Sequence, residues 1–245
     1  METKTVKNII ANIVRGKSLT YLAAAFAAFA TSSAWAAADI YWKGGNGAET
    51  DPVNIYSKNC WSTESTYSGS GSDISQFPNS YHNLNFGFAD GAEDTTAWLK
   101  CDGTTDSTVI ANLFMTHSGH FIFTSGSFKT ASNFSVGRLG GDNSTVTKKG
   151  GDWTIGGDLY IGFESTSTGI LEVDGGSISV SGAPKIGNSG NGTLTINDGT
   201  VEVASGKVTS LGVNNGSSGM VNLNGGVLKT SRLIHTSGAG TLNFR

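Results

Sequence analysis

A glycine recurs at intervals of 25 residues through the second half of the chain, and that period limits the fold more than any other feature. Gly137, Gly162, Gly187 and Gly212 each follow a short apolar stretch, in Phe134-Ser135-Val136, Leu159-Tyr160-Ile161, Pro184-Lys185-Ile186 and Ser210-Leu211. A second punctuation falls about half a unit later, at Gly150-Gly151, Gly175-Gly176, Asp198-Gly199 and Gly225-Gly226. Self-similarity at one fixed interval marks an array of like structural units.

Between these turns apolar and polar residues alternate, the mark of a strand with one buried face. Leu171 and Val173 alternate with Glu172 and Asp174, and after the turn Ile178 and Val180 alternate with Ser177 and Ser179. The next unit places Leu194, Ile196, Val201 and Val203 inward against Thr195, Asn197 and Glu202 outward. Val221, Leu223 and Leu228 continue the rows, and Phe121, Phe123 and Phe128 begin them. A unit this small cannot bury its apolar side alone, but stacked units can, with hydrogen bonds running between coils at the strand spacing of about 4.8 Å. An antiparallel meander or sandwich competes, because Gly-Gly and Asp-Gly turns also close hairpins. It gives no reason for a constant period. The expected fold is therefore all-β: a right-handed parallel β-helix (β-solenoid) of about 25-residue coils with an N-terminal β-rich capping segment. One position strains the pattern. Lys148 aligns with the inward Val173 and Ile196, so the expectation is a local register shift or a frayed edge, since a buried unpaired ammonium is costly.

Residues 1–38 read as a secretory signal. Lys4, Lys7, Arg15 and Lys17 form a positive leader, Leu19 to Ala30 is apolar, and Ala34-Trp35-Ala36 suits a signal peptidase, with cleavage after Ala36 first and after Ala38 second. An uncleaved anchor is the competing reading, but the apolar core is shorter than the roughly 20 residues a bilayer span needs. No transmembrane segment is expected in the mature chain. The 16 basic residues are scattered or leader-bound and the formal net charge is -3, which excludes the clustered cationic surface of a nucleic-acid binder. Export places Cys60 and Cys101 in an oxidising compartment, where a disulfide between them is a candidate worth about 3–4 kcal/mol. Buried thiols are the alternative.

On these residues the chain resembles bacterial autotransporter passengers and their relatives carrying autotransporter-associated β-strand repeats. Residues 39–112 resemble the N-terminal segment of such proteins, through Ile40-Tyr41-Trp42-Lys43-Gly44-Gly45, Asn59-Cys60-Trp61 and Asn83-Leu84-Asn85-Phe86. Residues 113–245 carry the repeats, most typically in Gly192-Thr193-Leu194-Thr195-Ile196-Asn197-Asp198-Gly199-Thr200-Val201. The resemblance implies a solenoid and says little of activity, because stalks, adhesins and polysaccharide lyases share such folds. Family members typically end in a membrane-embedded barrel, whereas this sequence stops at Asn243-Phe244-Arg245 within another unit. A truncated repeat region is therefore expected, with self-association through the open solenoid end.

No arrangement of residues favours catalysis. There is no Gly-x-Ser-x-Gly elbow. His117 and His120 have no evident third ligand, so a solvated turn is the better reading. Asp142, Asp152, Asp158 and Asp174 lie near turns of successive coils, with Arg138, Lys148 and Lys149 in the same stretch, but at unequal positions within the unit. Trp42, Trp61 and Trp98, with Tyr56, Tyr67 and Tyr81, crowd the N-terminal segment, where rings either plug the first coil or stack on sugars. No catalytic, metal or cofactor-binding residue is assigned, and no cofactor is expected. The expected function is an exported, non-enzymatic solenoid, secreted or on the outer cell surface, acting as a structural or adhesive passenger toward surface glycans or other cells. The alternative is a polysaccharide lyase-like enzyme or a glycan-binding module on the same scaffold.

Overall fold

Apolar alternation bounded by glycine turns becomes strand in every repeat. One coil holds Leu159–Ile161, Thr168–Val173 and Ser177–Val180, with inward residues buried and outward ones half-exposed or exposed. The next holds Lys185–Ile186, Asn191–Ile196 and Thr200–Val203, each strand parallel to and in register with its predecessor. This is a computed structural model, and it describes residues 38–42, 47–56, 60–62, 82–87, 96–101 and 109–245. Residues 1–37 of the secretory-type leader, with Lys43, Gly44, Gly45, Asn59, Tyr67 and Tyr81, lie outside the described residues.

Three sheets of nine, eight and six strands, parallel except for one pair at the N-terminal end, form the walls of a β-solenoid of about six turns. The described residues include no helix. Equivalent side chains stack along the axis: Ile161 on Ile186 on Leu211, Leu171 on Leu194 on Val221, and Ile178 on Val201 on Leu228. Ile161, Ile186 and Leu211 point to the interior, at 0%, 0% and 4% exposure. All three walls extend upstream of Leu113, through His82–Phe86, Thr96–Cys101 and Val109–Ile110.

At the N-terminal end the interior is aromatic. Ala38–Trp42 pairs antiparallel with Trp61–Ser62, which sets Trp42 opposite Trp61. Both indoles and Phe86 are buried, with Trp42 stacked on Phe86 at 5.1 Å and Trp61 edge-on to Phe86 at 4.9 Å. The column continues through Phe121, Phe123, Phe128, Phe134 and Trp153, after which aliphatic residues fill the core. At the other end, Val227–Lys229, Arg232–His235 and Ala239–Phe244 form the outermost strands, and Phe244 is 71% exposed.

The periodic glycines have a steric cause. Gly187 has φ +69°, and a Cβ there would strike the backbone carbonyl of Ser218. Only a residue without a side chain fits the corner where one coil passes under the next.

Lys148 corrects the expectation of a shifted or frayed strand. Its strand keeps register, with Lys148 beside Phe123 on one side and Val173 on the other, and the residue is 0% exposed. The ammonium donates hydrogen bonds to the carbonyls of Gly151 (2.7 Å) and Gly175 (2.6 Å) and lies 5.6 Å from the Trp153 ring centroid. It occupies space that a Cβ on Gly176 would contest, so the corner glycine makes room for it. Hydrogen bonding to peptide dipoles is what allows a lone cation inside.

Candidate functional site

The outward positions of the three walls differ in chemistry. On the eight-stranded wall Thr147 donates to Glu172 (2.9 Å) and faces His120 Nε2 at 2.8 Å, while Asn222 donates to Thr195 (3.2 Å) and Asn243 to Asn222 (2.8 Å). At the following corner Asn197 donates to Asp174 and Asn224 to Asn197. On the six-stranded wall Ser177 donates to Asp152 at 2.7 Å. These are ladders of polar groups satisfying one another from coil to coil.

The nine-stranded wall instead brings unlike groups together. Strand register aligns Phe114, Ser135, Tyr160 and Lys185 on the outward face. The Lys185 ammonium donates to Asp158 Oδ2 (2.6 Å) and to the Tyr160 hydroxyl (3.1 Å), and that hydroxyl donates to the same carboxylate oxygen (3.0 Å). The Ala183 amide donates to Asp158 Oδ1 at 2.8 Å. Burial works to raise the Asp158 pKa, but hydrogen bonds from Lys185, Ala183 and Tyr160 outweigh it and hold the carboxyl below its ordinary range. Burial likewise works against the charged Lys185, and Asp158 and Tyr160 reverse the sign and raise it.

Arg138 follows the glycine corner and sits over the Phe114 ring, its guanidinium carbon 3.7 Å from the ring centroid and 5.7 Å from that of Phe163. Burial lowers its pKa, while Glu164 and Asp39 support the charge through space rather than by hydrogen bonding. Phe163 meets Tyr160 edge-on at 4.8 Å. Between Phe114 and Tyr160 in the ladder, Ser135 is 1% exposed and its hydroxyl has no hydrogen-bond partner. Nearby, Asp142 is 8% exposed in the turn before Asn143–Lys148. Its Oδ2 accepts the Leu139 amide at 2.8 Å, yet burial, with Glu164 adding, pushes its pKa up to about 7.

Sequence candidates fall in several places. Trp42 and Trp61 are interior, and the Trp61 indole N–H donates to the Ile55 carbonyl at 2.7 Å. Trp98 sits half-buried on the outer face of the eight-stranded wall, under the Lys149 ammonium at 4.7 Å, which also pairs with Glu49 at 2.6 Å. Cys60 and Cys101 are buried thiols. Burial first, then Cys101, pushes the neighbouring Tyr56 phenol well above its usual range. The four Asp residues do not converge: Asp152 and Asp174 join ladders, Asp142 caps its own turn and Asp158 pairs with Lys185. Lys148 is inside, Lys149 lies over Trp98 and Arg138 over Phe114. Among the described residues, no three His, Cys, Asp or Glu side chains gather to hold a metal ion. The grouping of Arg138, Phe114, Tyr160, Lys185 and Asp158 was missed in the sequence. The outward slots Ser135, Tyr160, Lys185 and Ser210 share the strict glycine period, and stacking them would have found it.

No family model, curated protein or solved structure matches the chain. The geometry by itself shows a β-solenoid of about six turns.

Proposed function

We propose that the chain is an exported, non-enzymatic solenoid that works as a secreted or cell-surface structural and adhesive passenger of the autotransporter type. The supporting observation is the self-satisfied polar ladder on two of its three walls: Thr147 with Glu172, Asn222 with Thr195, Asn243 with Asn222, and Ser177 with Asp152. Outward groups that hydrogen-bond to the coil above or below make a stiff, wettable surface. The leader-like segment before Asp39 supports export.

Cell fractionation and N-terminal sequencing of the full chain test the first half of this reading. A mature N-terminus at Ala37 or Asp39 outside the cytoplasm is the expected result, and an intact Met1 in the cytoplasm sinks it. For the second half, prolonged incubation with a panel of acidic and neutral polysaccharides should release neither new reducing ends nor unsaturated products.

The glycan-binding alternative draws on one specific feature, the mixed aromatic and charged group on the nine-stranded wall.

A further inference from the structure

We infer that the outer face of the nine-stranded wall, around Arg138, is a binding site for a carboxylate-bearing polysaccharide. The inference deepens the adhesive reading by naming a ligand class, and it rests on that reading.

The first observation is the state of Arg138. A guanidinium carries five N–H donors in a planar fork suited to a carboxylate. Here it is half-buried, laid on Phe114, and its nearest carboxylates act on it only through space. A desolvated cation without a hydrogen-bonded acceptor gains more from an incoming carboxylate than a fully hydrated one does. Lys185 on the same face is already committed to Asp158, and Lys149 on the next wall to Glu49, whereas the Arg138 guanidinium combines partial burial with no hydrogen-bonded acceptor among the described residues.

The second observation is the Ser135 hydroxyl, 1% exposed and without a partner, in the outward ladder between Phe114 and Tyr160. A buried hydroxyl left unpaired carries a cost that a ligand oxygen can remove.

Third, the surroundings suit a sugar. Phe163 and Tyr160 offer apolar ring surface. The Tyr160 proton is spent on Asp158, but the hydroxyl oxygen and Asp158 Oδ1 keep acceptor capacity for sugar hydroxyl groups. The chain's formal net charge is -3, so a polyanion held here is held locally and not by the average field.

The test is calorimetric titration of the folded protein with polygalacturonate, with the same polymer after carboxyl reduction, and with polyglutamate. Binding to polygalacturonate, at least tenfold weaker after carboxyl reduction, is expected. Arg138→Gln should lower affinity at least tenfold, Arg138→Lys should restore only part, and Ser135→Ala should weaken binding severalfold while changing the fold least. Lys229→Gln, on the six-stranded wall, should leave binding unchanged. Equal binding by the wild type and the folded Arg138→Gln or Ser135→Ala variants overturns the site. Equal binding of the reduced polymer overturns the carboxylate, and equally tight polyglutamate overturns the sugar in favour of an acidic peptide. Export is read separately by fractionation, so a failed titration leaves that half of the functional reading standing.

Discussion

Burying an ionisable side chain makes its charge state part of the folding equilibrium. Asp142 has a folded pKa of about 7, raised from 3.8 chiefly by burial. Between those values the folded state binds the extra proton, so this group's contribution to stability falls as pH rises from about 4 to 7 and stays lost above. Asp142→Asn is therefore expected to stabilise the protein by about 2 to 4 kcal/mol at pH 8 and to be neutral near pH 4, measured by denaturant unfolding. Lys148 runs the other way. Burial lowers its pKa from 10.5 to about 8, the unfolded chain holds the proton more tightly, and stability rises with pH across that window. Lys148→Met should abolish the rise, seen as a wild-type-minus-variant difference that grows between pH 8 and pH 10. At neutral pH the replacement should cost within about 1 kcal/mol, because an apolar chain of similar volume often substitutes for a buried charge. The alignment of Lys148 with Val173 and Ile196 was visible in the sequence, but the cost of a buried ammonium argued for a shifted or frayed strand, and the strand keeps its register. Its mode of satisfaction was not, because the accepting carbonyls belong to the turns at Gly151 and Gly175 and carry no side-chain signature.

For strands and turns, what was legible depended on regularity. Where apolar and polar residues alternate cleanly, that alternation assigned the inward rows, and Leu171, Ile178, Leu194 and Val201 are all buried. The walls upstream of Leu113 were not read as coils. Leu84, Leu113, Phe134 and Leu159 stack on one another although their sequence intervals are uneven, and the pairing of Thr96–Cys101 carries a register shift between Leu99 and Lys100. An irregular interval hides a coil from a search for periods, while hydrogen bonding between strands tolerates the extra residues as bulges and longer turns. The corner glycines show the opposite, a sequence mark with a direct steric cause. Gly187→Ala should lose about 1–2 kcal/mol from the left-handed conformation alone, and more from the contact with the Ser218 carbonyl. Gly206, whose Cβ would meet nothing within 4 Å although its φ is +79°, should show only the first part. Thermal melts of the two variants separate strain from collision.

Across the whole solenoid each coil touches its neighbours above and below, so stability is close to a sum of intrinsic and interface contributions. The aromatic N-terminal end weighs heavily in that sum. Trp61→Ala should cost about 3–5 kcal/mol, because a fully buried indole leaves a large cavity and an unpaired Ile55 carbonyl. Fold class was legible at this scale, since a fixed period admits few architectures. The lateral site was not, because Arg138, Phe114 and Tyr160 lie on three successive coils and become neighbours only once stacking fixes the register. That in-register stacking also sets how the protein answers tension. Pulled apart along its axis, the walls are loaded like a zipper, a few hydrogen bonds at a time, and not in shear. A tethered molecule should then lengthen in small, evenly spaced steps, each roughly 25-residue turn paying out about 80 to 90 Å of chain. The exposed turn ending at Phe244 should yield first and the indole-filled end last. An anchored stalk built this way would absorb pulling work gradually instead of snapping loose.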